Sequence, residues 1–329
     1  MLVYIGGTFK SAANTMPAIK ILLPCLALCL IQACHKPNEV KSMDETNPPA
    51  EPLTPTAVVA SSQPEEWRAV NQDYTLYMQL PTGVVVLELS PEMAPLHANN
   101  TKALVRQGVF DGSQFYRVLD GFVAQGGPLF EPGQEPVELT SGAYNIQAEF
   151  TTQRDLTDSY LPFDGHDGYA DETGFVNSMA VGRDLQTGES WLLHCYGALA
   201  MGRSNDLNSG GVALYIVNGP AQRYLDRNTT VFGRVLVGMQ HVQALTRSAG
   251  IHGNQDLNGL NTIESIVVGS DLDPTQQLPL EVLDSNSAAF RQLLQARKNR
   301  SGDWFVYQHN YMDACGVPIP VRLKTAASP

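Results

Sequence analysis

The sequence predicts a mainly β protein, a closed antiparallel β-barrel capped by two helices, with a long loop insertion and a C-terminal helical extension. Three observations carry that reading. Short runs of β-branched and aromatic residues recur between turn-forming residues, two segments show helical spacing, and two stretches break the pattern altogether. With 43% hydrophobic and 16% charged residues, 28 Gly and 21 Pro, the composition suits a turn-rich globular chain and excludes a coiled coil. Lys and Arg number 21 against 33 Asp and Glu, a net charge of -12, so there is no basic stripe of the kind nucleic acid requires and no nucleic-acid partner is expected.

The first segment reads as an address. Ile21–Ile31 is an apolar run of signal-peptide length, preceded by Lys20 and too short to span a bilayer as a helix. A short basic start before an apolar core fits Met16 better than Met1 as the true start. Ala33, a small residue directly before Cys34, resembles the end of the lipobox of bacterial lipoproteins, in which cleavage before the cysteine is followed by acylation of its thiol. The alternatives are a plain secretory signal or a short buried helix that happens to contain Cys34. The resemblance implies a signal peptide over residues 1–33, lipidation at Cys34 and a periplasmic, membrane-anchored protein, and His35 in place of Asp favours the outer membrane of a Gram-negative bacterium. Residues 34–70, with Pro37, Pro48, Pro49, Pro52, Pro55 and Pro64 and no hydrophobic periodicity, read as a Pro-rich tether.

The main domain is placed at residues 71–272. Tyr74–Leu80 and Gly83–Leu89, joined through Pro81 and Thr82, give a hairpin signal. Met93–Gly108 has helical spacing, with Pro91 near its start and Gly108 able to close it. Strands are predicted at Gln114–Leu119, Phe122–Gln125, Gly197–Met201, Ala213–Val217, Thr230–Val235 and Thr262–Val268, and a second helix over Gly238–Ser248. The polar, Gly-rich stretch from about 130 to 196 reads as a loop insertion. In the extension, residues 273–329, Ser285–Arg300 has a Ser/Asn cap, an apolar face of Phe290, Leu293 and Leu294, and cations at the end the helix dipole favours.

One segment carries the chemistry: Phe115-Tyr116-Arg117-Val118-Leu119-Asp120-Gly121-Phe122-Val123-Ala124-Gln125-Gly126-Gly127. A lone cation in a β-type run, followed by Gly-Phe and then Gln-Gly-Gly, would set Arg117 and Gln125 on a sheet surface beside an aromatic wall. The segment resembles the signature of cyclophilins, the peptidyl-prolyl cis-trans isomerases, which reads Phe-His-Arg-Val-x-x-Gly-Phe-x-x-Gln-Gly-Gly. Gly197–Met201, Leu214-Tyr215-Ile216, Tyr224-Leu225-Asp226 and Val231-Phe232-Gly233-Arg234-Val235-Leu236-Val237-Gly238-Met239 resemble the family's later strands in the right order. The resemblance covers about Tyr74 to Leu272.

That resemblance implies isomerisation of X-Pro bonds by a lipid-anchored periplasmic folding catalyst acting on proline-containing exported polypeptides, as a monomer and without metal or cofactor. It implies catalysis by Arg117 and substrate binding by Phe122, Val123, Gln125, Tyr215, Tyr224 and Leu225. Several positions depart from the family. Ala213 stands for a substrate-contacting glutamine, Thr229 for a pocket histidine, Arg203 for an asparagine and Tyr224 for a tryptophan. These departures leave an alternative open: a peptide-binding chaperone or scaffold of the same fold with little isomerase activity.

The remaining candidates are weaker. His97, His166, His194, His241, His252 and His309 show no two-His metal spacing, and the carboxylates of Asp164–Glu172 miss the EF-hand pattern, so no metal is assigned. Of five cysteines, Cys25 and Cys29 would leave with the signal and Cys34 would be acylated. Cys195 and Cys315 then remain in an oxidising compartment, and a disulfide between them, rather than two separately buried free cysteines, is expected to pin the tail to the insertion.

Overall fold

Residues 53–129, 136–253, 259–300, 302 and 304–324 are described by the structure, a computed structural model. The signal segment and the lipidation at Cys34 lie outside the described residues. In chain order the first elements are α1 (Pro55–Ser61), β1 (Trp67–Ala69), β2 (Thr75–Leu80), β3 (Gly83–Leu89), α2 (Pro95–Val105), β4 (Gln114–Val118) and β5 (Val123–Gly127). Four short strands follow: β6 (Tyr160–Phe163), β7 (Glu172–Val176), β8 (Met179–Arg183) and β9 (Ser190–Leu192). Next come β10 (Ala198–Met201), β11 (Leu214–Val217), β12 (Thr230–Val237), α3 (Met239–Gln243) and β13 (Ser265–Val268), and then β14 (Leu280–Leu283), α4 (Ala288–Lys298) and β15 (Val321–Leu323). No helix among the described residues is long and apolar enough to cross a membrane.

Eight strands form one curled antiparallel sheet in the order β13-β2-β3-β12-β10-β11-β5-β4. Its two edges meet at a single bridge between Gln114 and Thr262, backed by Phe115 N donating to Asn261 O at 2.9 Å and Ile263 N donating to Ser113 O at 2.8 Å. The expected closed barrel is thus a curled eight-strand ladder with a short contact across its seam. Strand alternation sorts the side chains. Leu199, Met201, Leu214, Ile216, Ala124 and Phe232 fill the inside together with Ala98, Leu104 and Val105 of α2 and Val242 of α3. The outer face of β5, β10, β11 and β12 is apolar as well, carrying Val123, Ala198, Ala200, Tyr215, Val217 and Val231. A sheet with two apolar faces needs a cover on both.

The insertion is that cover, and it corrects the expectation of a loop. It folds into a second antiparallel sheet, β6-β7-β8-β9, whose Val176, Met179, Val181 and Leu192 pack on the outer face. The glycines that made it read as loop serve the strands: Gly182 sits opposite Trp191, and a Cβ there would meet the indole at 2.8 Å, while a Cβ on Gly174 would collide with the Tyr160 ring. Glycine here leaves room for an aromatic ring lying across the strand.

The tether also ends earlier than expected. Thr54 caps α1, accepting from Ala57 N at 3.2 Å; α1 packs on α4 and buries Val58. Trp67 opens β1, which pairs with β14, and β15 completes a three-stranded sheet. Pro55 and Pro64 begin helical turns, where a missing N–H costs nothing, so prolines that suggested a tether mark folded structure from residue 54 onward. The extension is therefore strand as well as helix. In α4, Ser287 accepts from Phe290 N at 3.0 Å, and Phe290, Leu293 and Leu294 are buried. Cys195 and Cys315 form a disulfide with Cα atoms 4.9 Å apart, tying the tail to the end of the insertion. The bridge borders an apolar cavity of about 360 Å³, also lined by Phe175, Leu193, Val235 and Val317 and by none of the candidate catalytic residues.

Candidate active site

The site is built on the register of three strands. Arg117 of β4 stands opposite Gln125 of β5, and Gln125 stands opposite Tyr215 of β11. The β4–β5 register shifts between Gln114 and Arg117, a bulge of the sort that re-aims a side chain. Close approach of the two strands explains the Gly-Gly pair: a Cβ on Gly126 would meet Gln114 O at 2.8 Å and Phe115 Cα at 2.9 Å, and Gly127 has a φ of 132°.

Arg117 is half-buried and held at three points. Its Nε donates to Ile251 O at 2.6 Å, its Nη1 lies 3.4 Å from Gln125 Oε1, and its guanidinium carbon lies 5.2 Å from the centre of the Phe122 ring. Nη2 has no hydrogen-bond partner among the described residues, so a fixed cation retains donors for a ligand. Next to it, burial pushes the Tyr116 hydroxyl above its ordinary value against the opposing effects of a bond to Gln125 and the Arg117 charge. That hydroxyl therefore stays protonated.

The aromatic wall has an exposed and a buried part. Phe122 is half-buried and stacks on Tyr224, which is 56% exposed; Val123 and Tyr215 are buried, and Leu225 closes a short 3-10 turn, Arg223–Leu225. Arg117, Phe122, Gln125 and Tyr215 are thus brought to one stretch of the outer face, with Tyr224 stacked alongside. The departure at Arg203 is also ordered, its Nε donating to Asn228 O at 2.8 Å and its guanidinium lying over the Phe150 ring.

Sequence reasoning missed His194. The insertion delivers it to the pocket segment, where its ring is fully buried and bonded to Asp226, Tyr215 and Thr229. The signal was present in the departures themselves. A tyrosine hydroxyl buried at 215 beside a threonine at 229 needs a further polar partner, and the sequence did not say which residue supplies it.

The outer face of the curled β-sheet thus bears an arginine, a glutamine and an aromatic wall in one row. The sequence model of the family described as "Cyclophilin type peptidyl-prolyl cis-trans isomerase/CLD" matches residues 75–268, more than half of the chain, and the chain belongs to that family. It is 27% identical over 190 residues to a probable peptidyl-prolyl cis-trans isomerase of Brucella suis biovar 1, covering 55% of this chain and 76% of the relative. It is also 27% identical over 163 residues to peptidyl-prolyl cis-trans isomerase B of Bacillus subtilis, covering 49% of this chain and 82% of the relative. Among solved structures, the cyclophilin AquaCyp293 from Hirschia baltica is similar with a TM-score of 0.65 and 28% identity, over 83% of this chain and 99% of that one. This chain is a cyclophilin-type peptidyl-prolyl isomerase.

Proposed function

We propose that Arg117 is the catalytic group and that Phe122, Val123, Gln125, Tyr215, Tyr224 and Leu225 hold the proline-containing segment. Rotation about an amide C–N bond meets a barrier of about 18–20 kcal/mol, because the nitrogen lone pair is delocalised into the carbonyl. In the twisted state that delocalisation is lost and the proline nitrogen becomes a better acceptor. A donor from Arg117 then stabilises the twisted form more than either planar isomer, which is the condition for faster isomerisation. Gln125 turns Oε1 toward Arg117, which ties the two polar side chains of the row together. The aromatic wall grips the proline ring while the preceding residue rotates. The observation that carries this reading is the row Arg117–Gln125–Tyr215 across three neighbouring strands, with Phe122 against the guanidinium.

The clients are exported polypeptides, and the enzyme is anchored by lipid on Cys34 at the periplasmic face of the outer membrane. The apolar run before Ala33-Cys34 supports the anchor, and a Cys195–Cys315 disulfide suits an oxidising compartment. A protease-coupled assay on a proline-containing peptide tests the activity of the purified protein. Fractionation of cells tests the address: the wild type is expected with outer membranes and Cys34→Ser in the soluble periplasm, and an unchanged distribution would reject the anchor.

A further inference from the structure

We infer that His194, which the insertion brings to the sheet, is a positioning residue of the proline pocket, fixing Tyr215 and the Tyr224-Leu225 turn in place. The inference rests on the reading that Tyr215 and Leu225 line that pocket.

His194 lies two residues beyond the end of β9, and its backbone is held on both sides. Its N–H donates to Asp226 Oδ1 at 3.0 Å, and its carbonyl accepts from Gln222 N at 2.8 Å. Both partners flank the turn Arg223–Leu225, so the insertion grips the segment that presents Tyr224 and Leu225. Cys195, the next residue, is bonded to Cys315.

The imidazole is fully buried, and its tautomer follows from its partners. Asp226 accepts Arg223 Nε on Oδ2 at 2.6 Å, and Arg223 in turn forks onto Asp167 at 2.6 and 2.9 Å. Oδ1 of Asp226, which already accepts the backbone N–H of His194, lies 2.8 Å from Nδ1, and Nδ1 donates to it. In a neutral ring Nε2 is then an acceptor. It lies 2.8 Å from the Tyr215 hydroxyl and 3.0 Å from Thr229 Oγ1, and those two oxygens are 2.5 Å apart. One hydroxyl donates to Nε2 while the other donates to its neighbour, so every polar atom in the triangle is satisfied. Burial pushes the Tyr215 hydroxyl well above its ordinary value, which keeps its proton in place as a donor.

The polar end of Tyr215 is thereby locked, and its ring lies nearly parallel to the imidazole, at 14°. Its place in register with Gln125 puts any tilt of that ring beside Arg117. Removing the imidazole would leave Asp226 with Arg223 and the backbone N–H of residue 194 but take from the buried Tyr215 hydroxyl the ring that fixes it, leaving it to Thr229, and a buried hydroxyl that loses a partner shifts to find another. Because the pocket grips proline in the planar and the twisted states alike, its loss should appear mainly in KM.

The test compares His194→Ala, His194→Gln, Tyr215→Phe and the two double variants, reading kcat, KM and the Kd of a proline peptide on protein shown to be folded. His194→Ala is expected to raise KM and Kd about fivefold or more with a smaller change in kcat. His194→Gln, which restores an acceptor, is expected to recover most of that loss. In the Tyr215→Phe background the effect of His194→Ala should shrink to less than about twofold, since the hydroxyl it holds is gone. Unchanged KM and Kd in folded His194→Ala, or an equal effect in both backgrounds with only thermal stability lowered, would overturn the proposal. Should His194→Ala fail to fold, His194→Gln in the two backgrounds decides by the same comparison. A wild type that binds the peptide without turnover would remove the catalytic reading alone, and Kd would still decide the role of His194.

Discussion

The rings of Phe122 and Tyr224 lie nearly parallel, 13° apart with centroids separated by 6.5 Å, so the site's aromatic wall is a stack of one half-buried and one exposed ring. Offset stacks of this kind are worth about 0.5–1.5 kcal/mol beyond burial. Tyr224→Ala is accordingly expected to raise KM for a proline peptide by about 2- to 12-fold and to leave kcat nearly unchanged. Steady-state kinetics check it, and a fall in kcat with KM unchanged would place Tyr224 in the reaction step.

Acid stability should depend on Glu88. Its carboxylate is shared by Arg68, at 2.6 Å, and Arg234, at 3.0 Å, deep in the interior. Burial alone would raise its pKa, but the two guanidinium groups outweigh that and hold it below the ordinary value of 4.5. Between the two values the unfolded chain binds a proton that the folded chain does not, so stability rises with pH across that window. The contribution is complete above about pH 4.5 and is lost as pH falls through the folded value. Glu88→Gln leaves two half-buried cations without their counter-ion and should cost up to about 3–5 kcal/mol at neutral pH while flattening the acid limb of the stability curve. Urea unfolding across that pH range measures both effects.

The disulfide should matter to the fold as a whole. It closes a separation of 120 residues and binds the insertion to the tail beneath which α4 packs. Cys315→Ser is expected to lower stability by about 3–5 kcal/mol in the chain-entropy account, read as a lower unfolding midpoint that the wild type matches only in reductant. Mass spectrometry of the denatured, non-reduced protein should find neither Cys195 nor Cys315 open to alkylation.

What the sequence disclosed and what it withheld follow from distance along the chain. Arg117, Phe122 and Gln125 fall within nine positions, on two paired strands and the turn that joins them, so a local motif specifies their geometry. The β2–β3 hairpin was legible for the same reason, its register running from Thr75 opposite Glu88 to Leu80 opposite Gly83. The insertion's sheet was not legible, because its strands are three to five residues long and place Gly174 and Gly182 where aromatic rings cross them. The partnership of β1 with β14 joins residues at the two ends of the described chain, and nothing local announces it. His194 was hidden by the same cause, since its three side-chain partners come from Tyr215, Asp226 and Thr229, beyond the insertion.

The most direct measurement is the isomerase rate of Arg117→Ala beside the wild type, on protein shown to be folded. Removing a charge-assisted hydrogen bond made chiefly in the twisted state costs about 1.5–3 kcal/mol, so kcat/KM should fall by about tenfold or more. A folded Arg117→Ala that isomerises X-Pro bonds at the wild-type rate would contradict the account.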